Sequence, residues 1–137
     1  MKIKDIMTRN VETLSPEKTI GEAASVMARV DSGAILVNEG DRLVGIITDR
    51  DIAIRAVAEG LSHETPISQV MTEKIRYCFD DEDIQHVAEN MADIQIRRLP
   101  VLNRDKRLVG IVSLGNIASC RSQKASATVL QGVAKAH

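Results

Sequence analysis

The sequence predicts an α/β (α+β) fold made of two tandem β-α-β-β-α repeats packed about a pseudo-twofold axis. Three observations carry that expectation. Residues 67 to 118 repeat residues 3 to 53 at an offset of 64, which is an internal duplication. Each copy alternates strand-length apolar runs with stretches of helical periodicity. A copy of roughly 55 residues also leaves much apolar surface uncovered, so two copies are expected to share a core.

The duplication is specific in its detail. Met7-Thr8 aligns with Met71-Thr72, Ile20 with Ile84, Ala24 with Ala88, Met27-Ala28 with Met91-Ala92 and Val37 with Val101. After one extra residue in the next turn, Arg42-Leu43-Val44-Gly45-Ile46 meets Arg107-Leu108-Val109-Gly110-Ile111, and Ile52-Ala53 meets Ile117-Ala118. The organisation expected is a first repeat over 1–60, a linker over 61–66, a second repeat over 67–121 and a C-terminal extension over 122–137.

In the first repeat, 11–14 reads as a strand ended by the turn pair Ser15-Pro16. Thr19 and Glu22 have capping-box spacing, and Ile20, Ala23, Ala24, Met27 and Val30 form one apolar helical stripe. The apolar runs 34–37 and 43–47 flank Asn38-Glu39-Gly40-Asp41, whose turn chemistry predicts a hairpin. A second helix is expected over 49–59, stopped by Gly60. The second repeat predicts strands at 75–79, 99–102 and 108–112, a helix over 84–94 and another from Leu114. The linker is polar and carries Pro66. The extension, rich in Ala, Ser, Lys and Val, reads as a frayed helix, a partner-binding segment or a disordered tail.

Composition narrows function. The 137 residues carry 18 Lys and Arg against 19 Asp and Glu, so a net charge of -1 gives no broad field for a polyanion or an anionic membrane. Tyr77 and Phe79 are the whole aromatic content, too little for base stacking, which argues against nucleic acid as a partner. Cys78 and Cys120 lack C-x-x-C partners and read as small buried hydrophobes in a reducing compartment. No apolar run approaches the ~20 residues that span a bilayer, and no signal-peptide pattern opens the chain. A soluble cytoplasmic protein is expected.

The segment that invites a ligand is Gly45-Ile46-Ile47-Thr48-Asp49-Arg50-Asp51, which runs from a buried strand into a helix with Thr48 at the N-cap. A helix N-terminus suits a phosphate, Arg50 adds a charge-assisted contact, and Asp51 can accept both hydroxyls of a ribose. The same spacing also serves plain helix capping, which needs no ligand. The second copy, Gly110-Ile111-Val112-Ser113-Leu114-Gly115-Asn116, keeps a capping serine but has a neutral Asn116 and no arginine.

Asp80-Asp81-Glu82-Asp83 lacks the glycine and spaced ligands of a calcium loop and reads as a solvated helix start. His63, His86 and His137 have no companions at metal-ligand spacing, so no metal is expected. No G-x-S-x-G, H-E-x-x-H or P-loop is present, and a non-enzymatic role is expected.

Taken together, the duplication, the Met-Thr pairs, Leu99-Pro100-Val101 and the two glycine-to-Asp/Asn segments resemble tandem cystathionine-beta-synthase (CBS) domains, the paired Bateman modules, over residues 3 to about 119. The resemblance implies a regulatory module that binds adenosine-containing ligands in clefts between the repeats: AMP, ADP or ATP, and in some members NAD or S-adenosylmethionine. No cofactor is required. It puts phosphate contacts on Thr48 and Ser113 and ribose contacts on Asp51 and Asn116. It also puts enclosure of the base on Val11, Gly33, Ala34 and Ile35 in one site, and on Ile75, Arg98, Leu99 and Pro100 in the other. Basic residues at the place of Arg97 and Arg98 reach phosphates in such modules, although a solvated pair at a strand start is an equal reading. Strand alternation would turn only one of them inward. Disc-like homodimers formed through the helices, and output through an unidentified protein partner, complete the expectation. Two departures from the family pattern are Leu36, standing where the second copy has Pro100, and Asn116 in place of a carboxylate. The competing reading is a structural or interaction module with vestigial sites, in which residues 122–137 dock a partner, and the loss of the acidic residue at Asn116 favours it.

Overall fold

The computed structural model describes residues 1–94, 97–120 and 127–128. It resolves into two compact units, each built on a three-stranded sheet. The units are not the repeats. One comprises Glu12–Ile75; the other joins Met1–Val11 to the chain from Arg76 onward.

In the first of these units, β1 (Thr13–Leu14) is followed by α1 (Ile20–Val30), β2 (Ala34–Glu39) and β3 (Arg42–Thr48). The sheet order is β1-β2-β3, parallel between β1 and β2 and antiparallel between β2 and β3. The Thr19 hydroxyl caps α1 by accepting from the Glu22 N–H at 3.1 Å. The buried face of α1 centres on Ile20, Ala23 and Met27, flanked by half-buried Val26. That stripe is narrower than expected: Ala24 lies outside it, and Val30, the last residue of the helix, is 37% exposed. The hairpin turn is only Gly40-Asp41, with Glu39 paired to Arg42 and Gly40 at φ 64°, the left-handed backbone such a turn needs.

After β3 comes α2 (Asp49–Asp51), a single α-turn. The chain then continues as a π-helix over Ile52–Val57, so the uniform helix expected to Glu59 is rewound after its first turn. Gly60, at φ 73°, closes it. The segment expected to be a plain linker is built into this unit: the carbonyls of Thr65 and His63 accept the Ile20 and Gly21 N–H groups at 2.9 Å, filling orphan donors of α1. Ile67 and Val70 beyond it are fully buried in the same core.

The other unit carries β4 (Cys78–Phe79), α3 (Ile84–Ile94), β5 (Arg98–Leu102), β6 (Leu108–Ser113) and α4 (Leu114–Ala118), with sheet order β4-β5-β6. Its core draws Ile3 and Met7 from the N-terminus onto Val87, Met91, Val101, Val112 and Ile117. Both first strands are shorter than expected. Parallel pairing starts at Leu36 in β2 but one place later, at Val101, in β5, because Pro100 has no N–H to offer.

The exchange of segments explains the odd partition. Thr8 pairs with Ile111 through N–H···O bonds of 2.8 and 3.0 Å, and Thr72 pairs with Ile46 through bonds of 2.8 and 2.9 Å. Each Met-Thr segment therefore covers the open edge of the sheet made by the other repeat, and an open strand edge is an unsatisfied ladder. Gly45 and Gly110 make room for this: a Cβ on Gly45 would lie 2.5 Å from Met71 Sδ, and one on Gly110 would lie 2.7 Å from the Thr8 carbonyl.

The acidic run is consumed locally. Asp81 is clasped by Arg104 through contacts of 2.7 to 3.0 Å, and that hydrogen bonding holds its carboxyl below the ordinary range. Arg104 also stacks over Phe79, 4.1 Å from the ring centroid. Glu82 accepts from the Phe79 N–H and Asp83 from the Gln85 N–H. Cys78 is buried, and burial, helped by Glu82 and Asp80, pushes its thiol up to about 12. Among the described residues no helix is long and apolar enough to cross a membrane. The expectations for 122–137 fall outside the described residues except at Ala127 and Thr128, where the Gln85 amide donates to the Thr128 hydroxyl at 3.3 Å.

Candidate functional site

Strand β3 delivers Thr48 to the head of α2, and a complete capping box forms there. Asp51 N–H donates to Thr48 Oγ1, and Thr48 N–H donates to Asp51 Oδ2, both at 3.0 Å. The register that pairs Ala34 with Thr48 lays Gly33, Ala34 and Ile35 alongside, and the Asp49 N–H donates to the Gly33 carbonyl at 2.9 Å. Gly33, Ala34, Ile35, Thr48, Arg50 and Asp51 are thus brought together at one end of one sheet, with Arg50 exposed and Ile35 buried.

Electrostatics at this end of the sheet differ from the expectation in one respect. The amides of the first helical turn are already spoken for: Asp49 N–H by Gly33, Arg50 N–H by the Asp49 carboxylate at 2.8 Å, and Asp51 N–H by Thr48. A phosphate would meet side chains here, not an open row of N–H groups. Asp51 itself keeps capacity. Its side chain is 13% exposed, one oxygen is engaged by the Thr48 N–H, and the other lies 3.8 Å from Arg55 Nε. A carboxylate offers about four acceptor positions, so both hydroxyls of a diol can still be accommodated.

The second copy reproduces the arrangement with neutral chemistry. Asn116 N–H donates to Ser113 Oγ at 3.1 Å, and both the Ser113 N–H and its hydroxyl donate to Asn116 Oδ1, at 2.8 and 2.9 Å. Arg98 pairs with Ser113, Leu99 with Val112 and Pro100 with Ile111, while the Leu114 N–H donates to the Arg97 carbonyl at 2.8 Å. Arg97 thus stands where the first copy has Gly33. Both arginines are exposed, and Leu99 and Pro100 are buried.

The segment exchange redistributes two expected residues. Val11 falls in the unit that holds Ser113 and Asn116, and Ile75 in the unit that holds Thr48 and Asp51, the reverse of their order in the repeats. Sequence reasoning missed Arg55, whose Nη1 donates to the carbonyls of Val70 and Met71. The available signal was the Asp51/Arg55 spacing of four on one helix, which becomes Asn116/Cys120 in the second copy. Among the described residues, no three His, Cys, Asp or Glu side chains converge to hold a metal ion.

Comparison with known proteins agrees with this architecture. The CBS domain profile matches twice, at residues 3–57 and 67–122. CBS domain-containing protein YhcV of Bacillus subtilis (strain 168) is 45% identical over 116 residues, which covers 85% of this chain and 82% of that protein. The crystal structure of Hypoxic Response Protein I, which holds two coordinated zinc ions, superimposes with a TM-score of 0.77 at 36% identity, over 86% of this chain and 97% of that one. The CBS domain pair of protein MJ0100, solved with 5′-methylthioadenosine and S-adenosyl-L-methionine, gives a TM-score of 0.72 at 32% identity, over 86% of this chain and 93% of that one. With its duplicated sheets, twin capping boxes and two profile matches, the chain belongs to the CBS domain family and carries the domain as a tandem pair.

Proposed function

We propose that this CBS pair is a non-catalytic regulatory module that binds an adenosine-containing ligand (AMP, ADP or ATP, with NAD and S-adenosylmethionine as the other candidates) and acts in trans on a protein partner. The observation that carries the reading is the Thr48/Asp51 pair: a half-buried carboxylate, oriented by a main-chain N–H, with acceptor positions left for a ribose diol. The 32% identical MJ0100 pair, solved with two adenosine-containing molecules, supports the ligand class. Arg50, exposed beside the box, and the Thr48 hydroxyl are the groups for a phosphate. Gly33, Ala34 and Ile35, with Ile75 of the same unit, are proposed to enclose the base beside Asp51, and Arg98, Leu99 and Pro100, with Val11 of their unit, to do so beside Asn116, where Arg97 adds charge. A homodimer working in the cytoplasm as an energy sensor is the setting this reading implies.

Asp51 is expected to bind more tightly than Asn116, since an amide forfeits the charge-assisted pair of hydrogen bonds. The test is thermal unfolding against the five ligands, with Asp51→Asn and Asn116→Ala in parallel. Asparagine is the informative replacement at 51 because Asn116 shows that an amide preserves the capping box. A ligand at 100 times its dissociation constant adds about 2.7 kcal/mol, roughly 8 °C in a chain of this size. Asp51→Asn should lower affinity by roughly tenfold to a hundredfold, and Asn116→Ala should affect it much less. Equal sensitivity of the two positions, or greater sensitivity at Asn116, would overturn that order of the sites.

One observation favours a second reading. The first-turn amides and both capping boxes are satisfied without a ligand, as they would be in an interaction module with vestigial sites. No shift with any of the five ligands would overturn the adenosine-ligand reading and favour that alternative.

A further inference from the structure

Arg55 sits in the π-helical segment one turn beyond Asp51, and its guanidinium reaches in two directions. Nε lies 3.8 Å from Asp51 Oδ1, and Nη1 donates to the carbonyls of Val70 and Met71, each at 3.3 Å. Those carbonyls belong to the segment that closes the sheet edge, where Val70 is fully buried and Thr72 pairs with Ile46. A guanidinium stays charged and holds its donors in a rigid planar fork, so one position can serve a carboxylate and a pair of carbonyls together. Local π-winding of this kind recurs at functional sites.

A separate observation comes from the other repeat. The residues aligned with Asp51 and Arg55 are Asn116 and Cys120, so the carboxylate and the arginine are replaced together. There the Asn116 amide reaches the crossing segment of its own unit directly, with Nδ2 3.5 Å from Thr8 Oγ1. Both third-position capping residues are therefore tied to the segment on the sheet edge, one through an arginine and one without an intermediary.

We propose that Arg55 is a positioning residue that relays the engagement of the Asp51 carboxylate to residues 70–72. A ligand that takes hydroxyl hydrogen bonds to Asp51 competes for the oxygen Arg55 leans on, and the guanidinium shifts its hold on the Val70 and Met71 carbonyls. The first copy thereby transmits occupancy to the stretch through which the chain leaves its unit, and the second copy, with Cys120, does so by another route. This deepens the adenosine-ligand reading and rests on it for the ligand; the relay itself is measurable without one.

The experiment is amide hydrogen exchange on the full chain, read at Met71, whose N–H donates to Ile67, and at Thr72, whose N–H donates to Ile46. Wild type, Asp51→Asn, Arg55→Met and the double variant form a cycle. The Arg55 side chain is 54% exposed, so its removal leaves the core intact. Each single change is expected to speed exchange at both amides by roughly three- to tenfold. The double variant should do no more than the larger single change. Additive effects, or single variants without effect, overturn the relay. Repeating the cycle with AMP separates the two ideas. If AMP alters exchange at 48–51 and at 71–72 in wild type, and only at 48–51 in Arg55→Met, both stand. If AMP changes nothing in wild type while the ligand-free cycle is non-additive, the adenosine reading fails for AMP and the relay holds. If AMP binds and the cycle is additive, the relay fails alone.

Discussion

Asn38 and Leu102 occupy the same place in the two repeats, each at the irregular step in its central strand, and both are buried. Leu102 is at home there. Asn38 is 9% exposed, and its Oδ1 finds no hydrogen-bond partner among the described residues. A buried polar atom without a partner costs about 1–3 kcal/mol, so Asn38→Leu is expected to stabilise the protein by about 1 kcal/mol, raising the urea midpoint without changing the slope. A lower midpoint would show that the amide has a role the leucine cannot fill. Differences between side chains of this kind were open to sequence reading where they changed chemistry, as Asp51 against Asn116 did. Arg55 was not, because its partners are main-chain carbonyls 15 and 16 residues downstream, and a carbonyl has no sequence signature.

Helices and hairpins were legible because periodicity and turn residues encode them locally. The Thr19 cap, the Gly40 turn and the end of α3 at Ile94 lie where pattern puts them. The rewinding at Ile52 was not legible, since no residue type marks a π-turn. Nor was the service each Met-Thr pair renders to the opposite sheet, because the alignment of the repeats is the same whichever sheet a segment joins. Glycines record that service sterically. Gly45→Ala would press on Met71 Sδ, the flexible end of a side chain, whereas Gly110→Ala would press on the main-chain carbonyl of Thr8. Gly110→Ala is therefore expected to be the more damaging by about 1–2 kcal/mol, measured as the difference between the two variants' urea midpoints. Equal losses would mean that Met71 has nowhere to turn.

At the scale of the molecule, the folding unit and the repeat are different stretches of chain. The core on α1 needs Ile67 and Val70, which lie beyond the first repeat. A fragment of residues 12–75 is expected to unfold cooperatively in urea, and a fragment of residues 1–60, cut at the repeat boundary, to show no transition; circular dichroism distinguishes them. A cooperative 1–60 fragment would mean that the exchanged residues are dispensable. The exchange also imposes an order on biosynthesis. When residue 75 has left the ribosome, one unit has every segment it needs. Residues 1–11, although made before that unit, must wait for β6, because Ile111 is the partner of Thr8. At roughly 5–20 residues per second, that leaves residues 1–11, with Ile3 and Met7 unshielded, for some seconds on a nascent chain whose other unit is already complete. During synthesis residues 1–11 are thus a segment without its partner strand, and they become part of a fold only when the second repeat is made.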